Sequence, residues 1–206
     1  MEIVCLDLEG VLIPEIWVEF AKVTGIEELT ATTRDIADYD VLMQQRIAIL
    51  KQHRLNVDDI HAVIASLSPL EGAMEFLGWL REYFQVVILS DTFYEFAQPF
   101  MRQLGFPTLL CHRLIVDQQD MINGYQLRQE DPKRQAILAL QSLNYRVLAA
   151  GDSYNDLTML HQADAGILFN APTYITDEYP HLPAIYGYDN LQRELIKASD
   201  REIIID

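Results

Sequence analysis

The sequence predicts an α/β protein in which a parallel sheet carries a block of helices inserted after its first strand. Short apolar segments at residues 2–8, 85–90 and 146–150 are typical of buried strands in a parallel sheet. Helical patterns separate the later strands, and this alternation requires right-handed crossovers within one sheet. Residues 13–68 are helical by pattern and lie between two strands, so they are expected to cover the carboxyl edge of the sheet, where ligands bind.

The predicted elements of the first half define two domains. After the strand that ends at Asp7, helices are predicted over 15–24, where Gly25 stops the helix, over 39–53, and from Asn56 or Asp58 to about residue 67, before Pro69. We therefore predict a helical cap domain at 13–68 and an α/β core domain formed by 1–12 and 69–206.

The predicted elements of the second half complete the sheet. Helices are expected over 71–83, 93–104, 132–143, 152–162 and 189–199, and short strands over 165–168 and 184–186. The segment 108–127 is irregular to β, with Asn123-Gly124 as a turn signal, and could form a hairpin or flap. Within it, Cys111 and His112 are expected only to pack.

Composition excludes several classes of function. The chain has 206 residues, 50% of them hydrophobic, and a formal charge of −16 with no Lys/Arg cluster, so nucleic acid is a poor candidate partner. No apolar run approaches the ~18 residues of a membrane span, and the first residues show neither the basic region nor the long apolar region of a signal peptide, so no targeting segment is expected. A cytoplasmic protein is expected. An anionic substrate would require local cations, either a metal or placed Lys and Arg side chains.

Polar residues follow the first two long strands of the predicted sheet. Asp7 and Glu9 come directly after the first strand, and two carboxylates so close can share a divalent metal or divide attack and proton transfer. Ser90, followed by Asp91 and Thr92, ends the next strand near a helix start, where a hydroxyl can donate to a phosphoryl oxygen or can merely cap the helix.

Two further groups follow later strands. Lys133 falls in the first turn of a helix, where the helix dipole disfavours a cation, and this hints at an anionic partner. Asp152 and Asp156 lie four residues apart at a strand–helix junction, with Asn155 between them, and can supply a second metal ligand and a supporting acid. All four groups follow strands and can converge on one edge of the sheet.

In this order and placement, the motifs resemble those of the haloacid dehalogenase (HAD) superfamily of phosphatases and phosphotransferases, from Asp7 to about residue 170. The resemblance implies a Rossmann-like parallel sheet with a small helical cap. It also implies roles for the matching positions: Asp7 as nucleophile, Glu9 as general acid/base, Ser90 and Lys133 as phosphate-binding groups, Asp152 as metal ligand and Asp156 as supporting acid.

The same resemblance implies Mg²⁺ as cofactor, held by Asp7, the Glu9 main-chain carbonyl and Asp152. Asp91 and Asn155 are expected to bind substrate, and Thr92 to support the site. Glu9 departs from the family pattern, which usually has Asp there, and the extra methylene displaces the carboxyl by roughly 1.5 Å.

The cap resembles that of phosphoserine phosphatases. Arg46 follows Tyr39 by seven positions, and the resemblance implies that its planar guanidinium holds the carboxylate of phosphoserine. Glu15 is the expected partner of the substrate ammonium group. Glu9, the Ser90-Asp91-Thr92 run and the motif beginning at Gly151 look closest to a bifunctional group that also transfers the phosphoryl group to homoserine. A homodimer would suit an enzyme of this size.

Three alternatives stay open at this point. The same core could act on another small phosphomonoester, because only the cap distinguishes the leaving group. A phospho-aspartate signalling receiver uses similar residues, but it places the reactive Asp on a later strand. A carbon–halogen hydrolase could share the fold, although Glu9 and the phosphate-binding residues favour phosphoryl chemistry.

Overall fold

The computed structural model describes residues 1–32, 35–36 and 38–203, and the centre of this part of the chain is a seven-stranded sheet. The strands are β1 (Glu2–Leu6), β2 (Gln85–Phe93), β3 (Thr108–Val116), β4 (Ile122–Gln126), β5 (Arg146–Gly151), β6 (Ala165–Phe169) and β7 (Ala184–Ile185). Their order is β4-β3-β2-β1-β5-β6-β7. The β3–β4 pair is antiparallel and the other pairs are parallel, which confirms the predicted α/β class with its mostly parallel sheet.

The helices also follow the predicted order. They are α1 (Ile16–Thr24), α2 (Tyr39–His53), α3 (Val57–Ile64), α4 (Ala73–Tyr83), α5 (Tyr94–Gln103), α6 (Pro132–Ser142), α7 (Leu157–Gln162), α8 (Thr173–Glu178) and α9 (Tyr188–Ala198). Asn56 caps α3 through a reciprocal pair of bonds with Asp59, and the helix ends at Ile64, earlier than predicted. Helix α8 and the 3₁₀ turn Glu27–Thr30 were not predicted from the sequence.

Helices α1 to α3 lie between β1 and β2 in the chain and share one hydrophobic cluster with the sheet. Trp17 of α1 packs edge-on against Phe96 of α5, with ring centroids 5.4 Å apart. Such a contact holds the start of the helical block over the β2–α5 junction. The assignment of residues 13–68 to a separate cap domain stays a prediction.

The segment after α5 forms the β3–β4 hairpin, as the sequence allowed, but the turn prediction was wrong. Asn123 and Gly124 lie within β4. The chain reverses at residues 117–121, where the Asp117 carboxylate accepts the N–H groups of Gln119 and Met121 and the side-chain amide of Asn123. An Asp that bonds the backbone two residues on competes effectively with an Asn-Gly pair for the turn.

The topology brings the carboxyl ends of β1, β2 and β5 together at the centre of the sheet, because β1 pairs in parallel with both of the others. Loops after these strands carry most of the predicted site residues. Within the residues that the structure describes, none of the helices combines the length and apolar character that crossing a bilayer requires.

Candidate active site

Asp7 lies at the centre of the site, directly after β1. It is buried, and its main-chain N–H donates to the carbonyl of Ala150 at 3.0 Å, which fixes the backbone beside β5. One carboxylate oxygen, Oδ1, accepts the N–H of Leu8 at 2.8 Å and lies 2.9 Å from Nζ of Lys133. Burial and the neighbouring Asp156 raise the pKa of the Asp7 carboxyl, although Lys133 opposes them.

A bulge in β2 brings Ser90, Asp91 and Thr92 to the site. Leu89 pairs with Leu110 of β3, but the next pair joins Phe93 to His112, so β2 has extra residues between the two pairs. A bulge bends a strand and redirects its side chains. Oγ of Ser90 accepts the N–H of Thr92 at 3.2 Å, so the hydroxyl proton can be donated elsewhere. The helix-cap alternative for Ser90 was wrong, since it lies within β2 and α5 begins at Tyr94.

Lys133 supplies a positive charge next to Asp7 and Asp91. It lies in the first turn of α6, as predicted, and is only 2% exposed. Its Nζ contacts Oδ1 of Asp156 at 2.7 Å and lies 3.7 Å from Oδ2 of Asp91, in addition to its contact with Asp7. Burial would lower the pKa of Lys133, but the carboxylates raise it well above its usual value. A cation at a helix amino terminus is thus explained by the acids around it.

The loop after β5 completes the acidic cluster. Carboxylate oxygens of Asp7, Asp152 and Asp156 lie within 4.8 Å of one another, and all three residues are buried. Asp156 also accepts the N–H groups of Asp152 and Ser153, at 3.0 and 3.1 Å, and so holds the loop in shape. Oxygen ligands in this arrangement suit a hard divalent cation.

Gly151 is required for this geometry. A Cβ at position 151 would lie 2.3 Å from Cγ of Asp156, and little relaxation is open to a residue that is fully buried. We expect Gly151→Ala to displace Asp156 and Lys133 and to lower turnover of the phosphomonoester substrate that the sequence predicts by at least about 100-fold, since small displacements in a site are costly. Steady-state turnover of purified variants measures this.

Gly78→Ala is the matched control. Gly78 lies in α4, and a Cβ there meets nothing within 4 Å, so turnover should be unchanged and the helix slightly stabilised. Wild-type turnover in Gly151→Ala would show that the site tolerates a Cβ at residue 151 next to Asp156.

Glu9 connects the loop after β1 to the helical block. Its Oε2 accepts the N–H of Ile16, the first residue of α1, at 2.9 Å, and its side chain also bonds that of Thr92. Burial and the nearby Glu15 raise its pKa to about 8, while the bonds from Ile16 and Thr92 lower it. The additional methylene of Glu9, compared with Asp, allows the carboxyl to reach the start of α1.

Arg46 of α2 lines a pocket together with Asp7 and Glu9. It is buried, its NH2 group donates to the carbonyl of Ala31 at 2.8 Å, and its guanidinium lies 4.5 Å from the ring centroid of Trp17. Burial lowers its pKa to about 10, although Glu9 opposes this. Within the described residues its buried Nε has no hydrogen-bond partner. Leaving a buried N–H unpaired is costly, so the arrangement favours an anionic ligand at this point.

One pocket contains most of the predicted site. Of those residues, its wall includes Asp7, Glu9, Glu15, Arg46, Ser90, Asp91, Thr92 and Asn155. Lys133, Asp152 and Asp156 lie among the buried acids next to Asp7.

Other pocket residues were not predicted as ligands. Trp17, Thr32 and Ser153 line the pocket without any distinctive spacing, although Ser153 and Asp156 form a recognisable capping box. Tyr39 also lines the pocket, and its hydroxyl donates to the main-chain carbonyl of Asp91 at 2.9 Å.

The sheet order, the acidic cluster beside a buried lysine and the helices over the carboxyl edge define a hydrolase of the HAD type. The family model of the haloacid dehalogenase-like hydrolases matches residues 1–164, and the chain belongs to this family. The signalling-receiver alternative is thereby set aside.

Two similar curated proteins come from pseudomonads. The phosphoserine phosphatase of Pseudomonas syringae pv. tomato is 67% identical over 205 residues, which cover 100% of this chain and 86% of that protein. The phosphoserine phosphatase ThrH of Pseudomonas aeruginosa is 66% identical, over 98% of this chain and 99% of that protein. A solved structure described as a phospho-aspartyl intermediate analogue of phosphoserine phosphatase shares the fold, with a TM-score of 0.75 at 20% identity over 95% of this chain and 97% of that chain.

Proposed function

We propose that this chain is a phosphoserine phosphatase that forms a phospho-aspartate on Asp7 and can pass the phosphoryl group to homoserine. The contact between Asp7 and Lys133, at 2.9 Å beneath a pocket that also contains Arg46, is the observation that carries the proposal. In this proposal Asp7 is the reactive carboxylate and Arg46 the amino-acid clamp, and Lys133, buried beneath the pocket that these two residues line, is the phosphate-binding cation. The two pseudomonad relatives named phosphoserine phosphatase support the same substrate.

The acidic cluster fits a bound Mg²⁺. Asp7, Asp91 and Asp156 surround Lys133, and Asp152 lies beside Asp7 and Asp156. The negative charge of these four acids opposes the binding of a phosphate dianion. Asp7 and Asp152, with the main-chain carbonyl of Glu9, are the ligands that we propose for the ion. When bound, Mg²⁺ would keep these acids ionised and neutralise charge on the phosphoryl oxygens.

The residues of the chain divide the two chemical steps between them. Asp7 Oδ attacks phosphorus as the bond to serine Oγ breaks, and Glu9 gives its proton to that leaving oxygen. Water or an alcohol then attacks phosphorus, its proton passes to Glu9, and the bond to Asp7 breaks. Ser90, Lys133 and Asn155 hold the transferring group throughout. The raised pKa of Glu9 suits a group that must first give and then take a proton.

Arg46 is proposed to bind the substrate carboxylate, and Glu15 the ammonium group. We expect Arg46→Ala to raise KM for phosphoserine about 100-fold, because a buried charge-assisted pair is lost, and to leave hydrolysis of p-nitrophenyl phosphate within about threefold of wild type. Steady-state kinetics with both substrates measures the difference.

Lys22→Ala is the control for Arg46→Ala. Lys22 is an exposed cation of α1 that pairs with Glu19, away from the pocket wall, so neither substrate should be affected. Unchanged phosphoserine turnover in Arg46→Ala would remove the clamp assignment, and a panel of small phosphomonoesters would then test the choice of substrate.

Transfer to homoserine is tested separately from hydrolysis. Both reactions share the intermediate on Asp7, and homoserine offers the same carboxylate and ammonium groups as serine with a hydroxyl one methylene further away. Supplying phosphoserine with homoserine should yield homoserine phosphate as well as inorganic phosphate, detectable by ³¹P NMR. Inorganic phosphate alone would remove the transferase activity and leave the phosphatase. A homodimer and a cytoplasmic location likewise stay predictions.

A further inference from the structure

His112 lies in β3 with its ring next to the pocket, and its hydrogen bonds fix which nitrogen carries the proton. The side chain is 2% exposed. Its Nδ1 accepts the main-chain N–H of Arg128 at 3.1 Å, so the ring proton is on Nε2. Nε2 faces Oδ1 of Asp91 at 3.4 Å. The sequence suggested only packing for this histidine, but the ring is orientated towards a carboxylate of the pocket wall.

Asp91 divides its two oxygens between different partners. Oδ2 accepts the side-chain amide of Asn155 at 2.7 Å and lies 3.7 Å from Nζ of Lys133, whereas Oδ1 faces His112. Although burial opposes ionisation, Lys133, His112 and Asn155 together hold the pKa of Asp91 well below its usual range. An ionised carboxylate this close to Lys133 can compete with a phosphoryl group for the ammonium.

The surroundings of His112 restrict its ring. Tyr39 of α2 and Phe93 of β2 contact it with ring centroids at 6.4 and 6.3 Å. Tyr39 also donates to the main-chain carbonyl of Asp91. Asp91 is therefore held at its carboxylate by the β3–β4 hairpin, through His112, and at its backbone by helix α2.

We propose that His112 is a positioning residue: its Nε2–H holds Oδ1 of Asp91 away from Lys133, so that Lys133 and Asn155 stay orientated to bind the phosphoryl group. This role rests on the proposed function, because it assigns phosphate binding to Lys133 and Asn155. Removing the donor frees Asp91 to turn towards Lys133 and to screen its charge. Phosphate affinity should fall, while the amino-acid end of the pocket should be unaffected.

The two products, inorganic phosphate and serine, serve as inhibitors that report separately on the phosphate end and the amino-acid end of the pocket. We expect His112→Phe, which keeps a ring but loses the donor, to raise the Ki of inorganic phosphate about tenfold, in line with the loss of a hydrogen bond to a charged group. The Ki of serine should stay within about twofold of wild type. His112→Gln places an amide N–H near the position of Nε2 and should restore most of the phosphate affinity. Equal changes in both Ki values, or no rescue by Gln, would overturn the proposal.

A double-variant comparison tests whether His112 acts through Asp91. In an Asp91→Ala background, His112→Phe should no longer change the Ki of phosphate. The same tenfold effect in that background would show that the ring acts by packing alone.

Two arms keep the test independent of folding and of the proposed substrate. If His112→Phe does not fold, ¹⁵N NMR of the wild type replaces it. The spectrum should show His112 protonated at Nε2, and this signal should shift in Asp91→Asn. Protonation at Nδ1, or the absence of a shift, would overturn the proposal. Phosphate inhibition is also measured with p-nitrophenyl phosphate. If the wild-type protein cleaves this ester but not phosphoserine, the proposed substrate is contradicted. The effect of His112→Phe on phosphate binding can then still be measured with p-nitrophenyl phosphate.

Discussion

Lys133→Met is expected to abolish turnover and to destabilise the fold at the same time. Lys133 is buried and contacts Asp7 and Asp156 at 2.9 and 2.7 Å, so the variant loses both the charge that we propose binds phosphate and the counter-ion of these acids. Turnover should fall by at least about 1,000-fold. The free energy of unfolding should fall by about 3–5 kcal/mol, because removing one partner leaves buried charges uncompensated. Phosphatase assays and urea unfolding in metal-free buffer measure the two effects.

Lys22→Met is the control for this substitution. It removes an equal charge from an exposed pair with Glu19, and pairs of that kind contribute little to stability. Turnover near wild type in Lys133→Met would show that the phosphoryl group is held by other residues. A normal free energy of unfolding would show that the acids around position 133 are neutral in the folded protein.

Asp7→Asn is expected to separate activity from stability. The amide cannot attack phosphorus, so turnover should fall by at least about 10,000-fold. The fold should survive without loss of stability, since burial and the nearby Asp156 already raise the pKa of Asp7 and disfavour its charged form. Thermal unfolding of both proteins without added metal, together with steady-state turnover, provides the comparison.

Either of two results for Asp7→Asn would contradict this interpretation. Residual turnover within about tenfold of wild type would mean that another group attacks phosphorus. A large loss of stability would mean that the pairing of Asp7 with Lys133 outweighs the repulsion among the acids.

The sequence predicted the proposed reactive residues more fully than it predicted the tertiary contacts that hold them in place. Asp7 and Asp152 could be picked out because each follows a strand, and the carboxyl ends of β1, β2 and β5 meet in any sheet of this topology. Lys133 could be picked out as a cation in the first turn of a helix. The partners of Asp91 could not be predicted from the sequence, because His112 reaches Asp91 only through the pairing of β2 with β3 and a bulge in β2. Periodicity carries no information about such tertiary contacts.

The errors in the predicted fold have similar causes. The strand β2 was expected to end at residue 90 because polar residues follow, but it continues to Phe93 through the bulge. The Asn123-Gly124 pair was expected to form the turn, but Asp117 bonds the backbone of its own loop and moves the reversal earlier. Short elements such as α8 contain too few residues to show a helical period.

Trapping the covalent intermediate tests the assignment of Asp7 most directly. Protein mixed with phosphoserine and Mg²⁺ is quenched in acid within one turnover, digested and analysed by mass spectrometry. The expected result is one phosphoryl group on the peptide that contains Asp7, absent from Asp7→Asn and depleted when homoserine is present. A phosphoryl group on a different residue, or none while turnover proceeds at its normal rate, would contradict the assignment of Asp7 as the nucleophile.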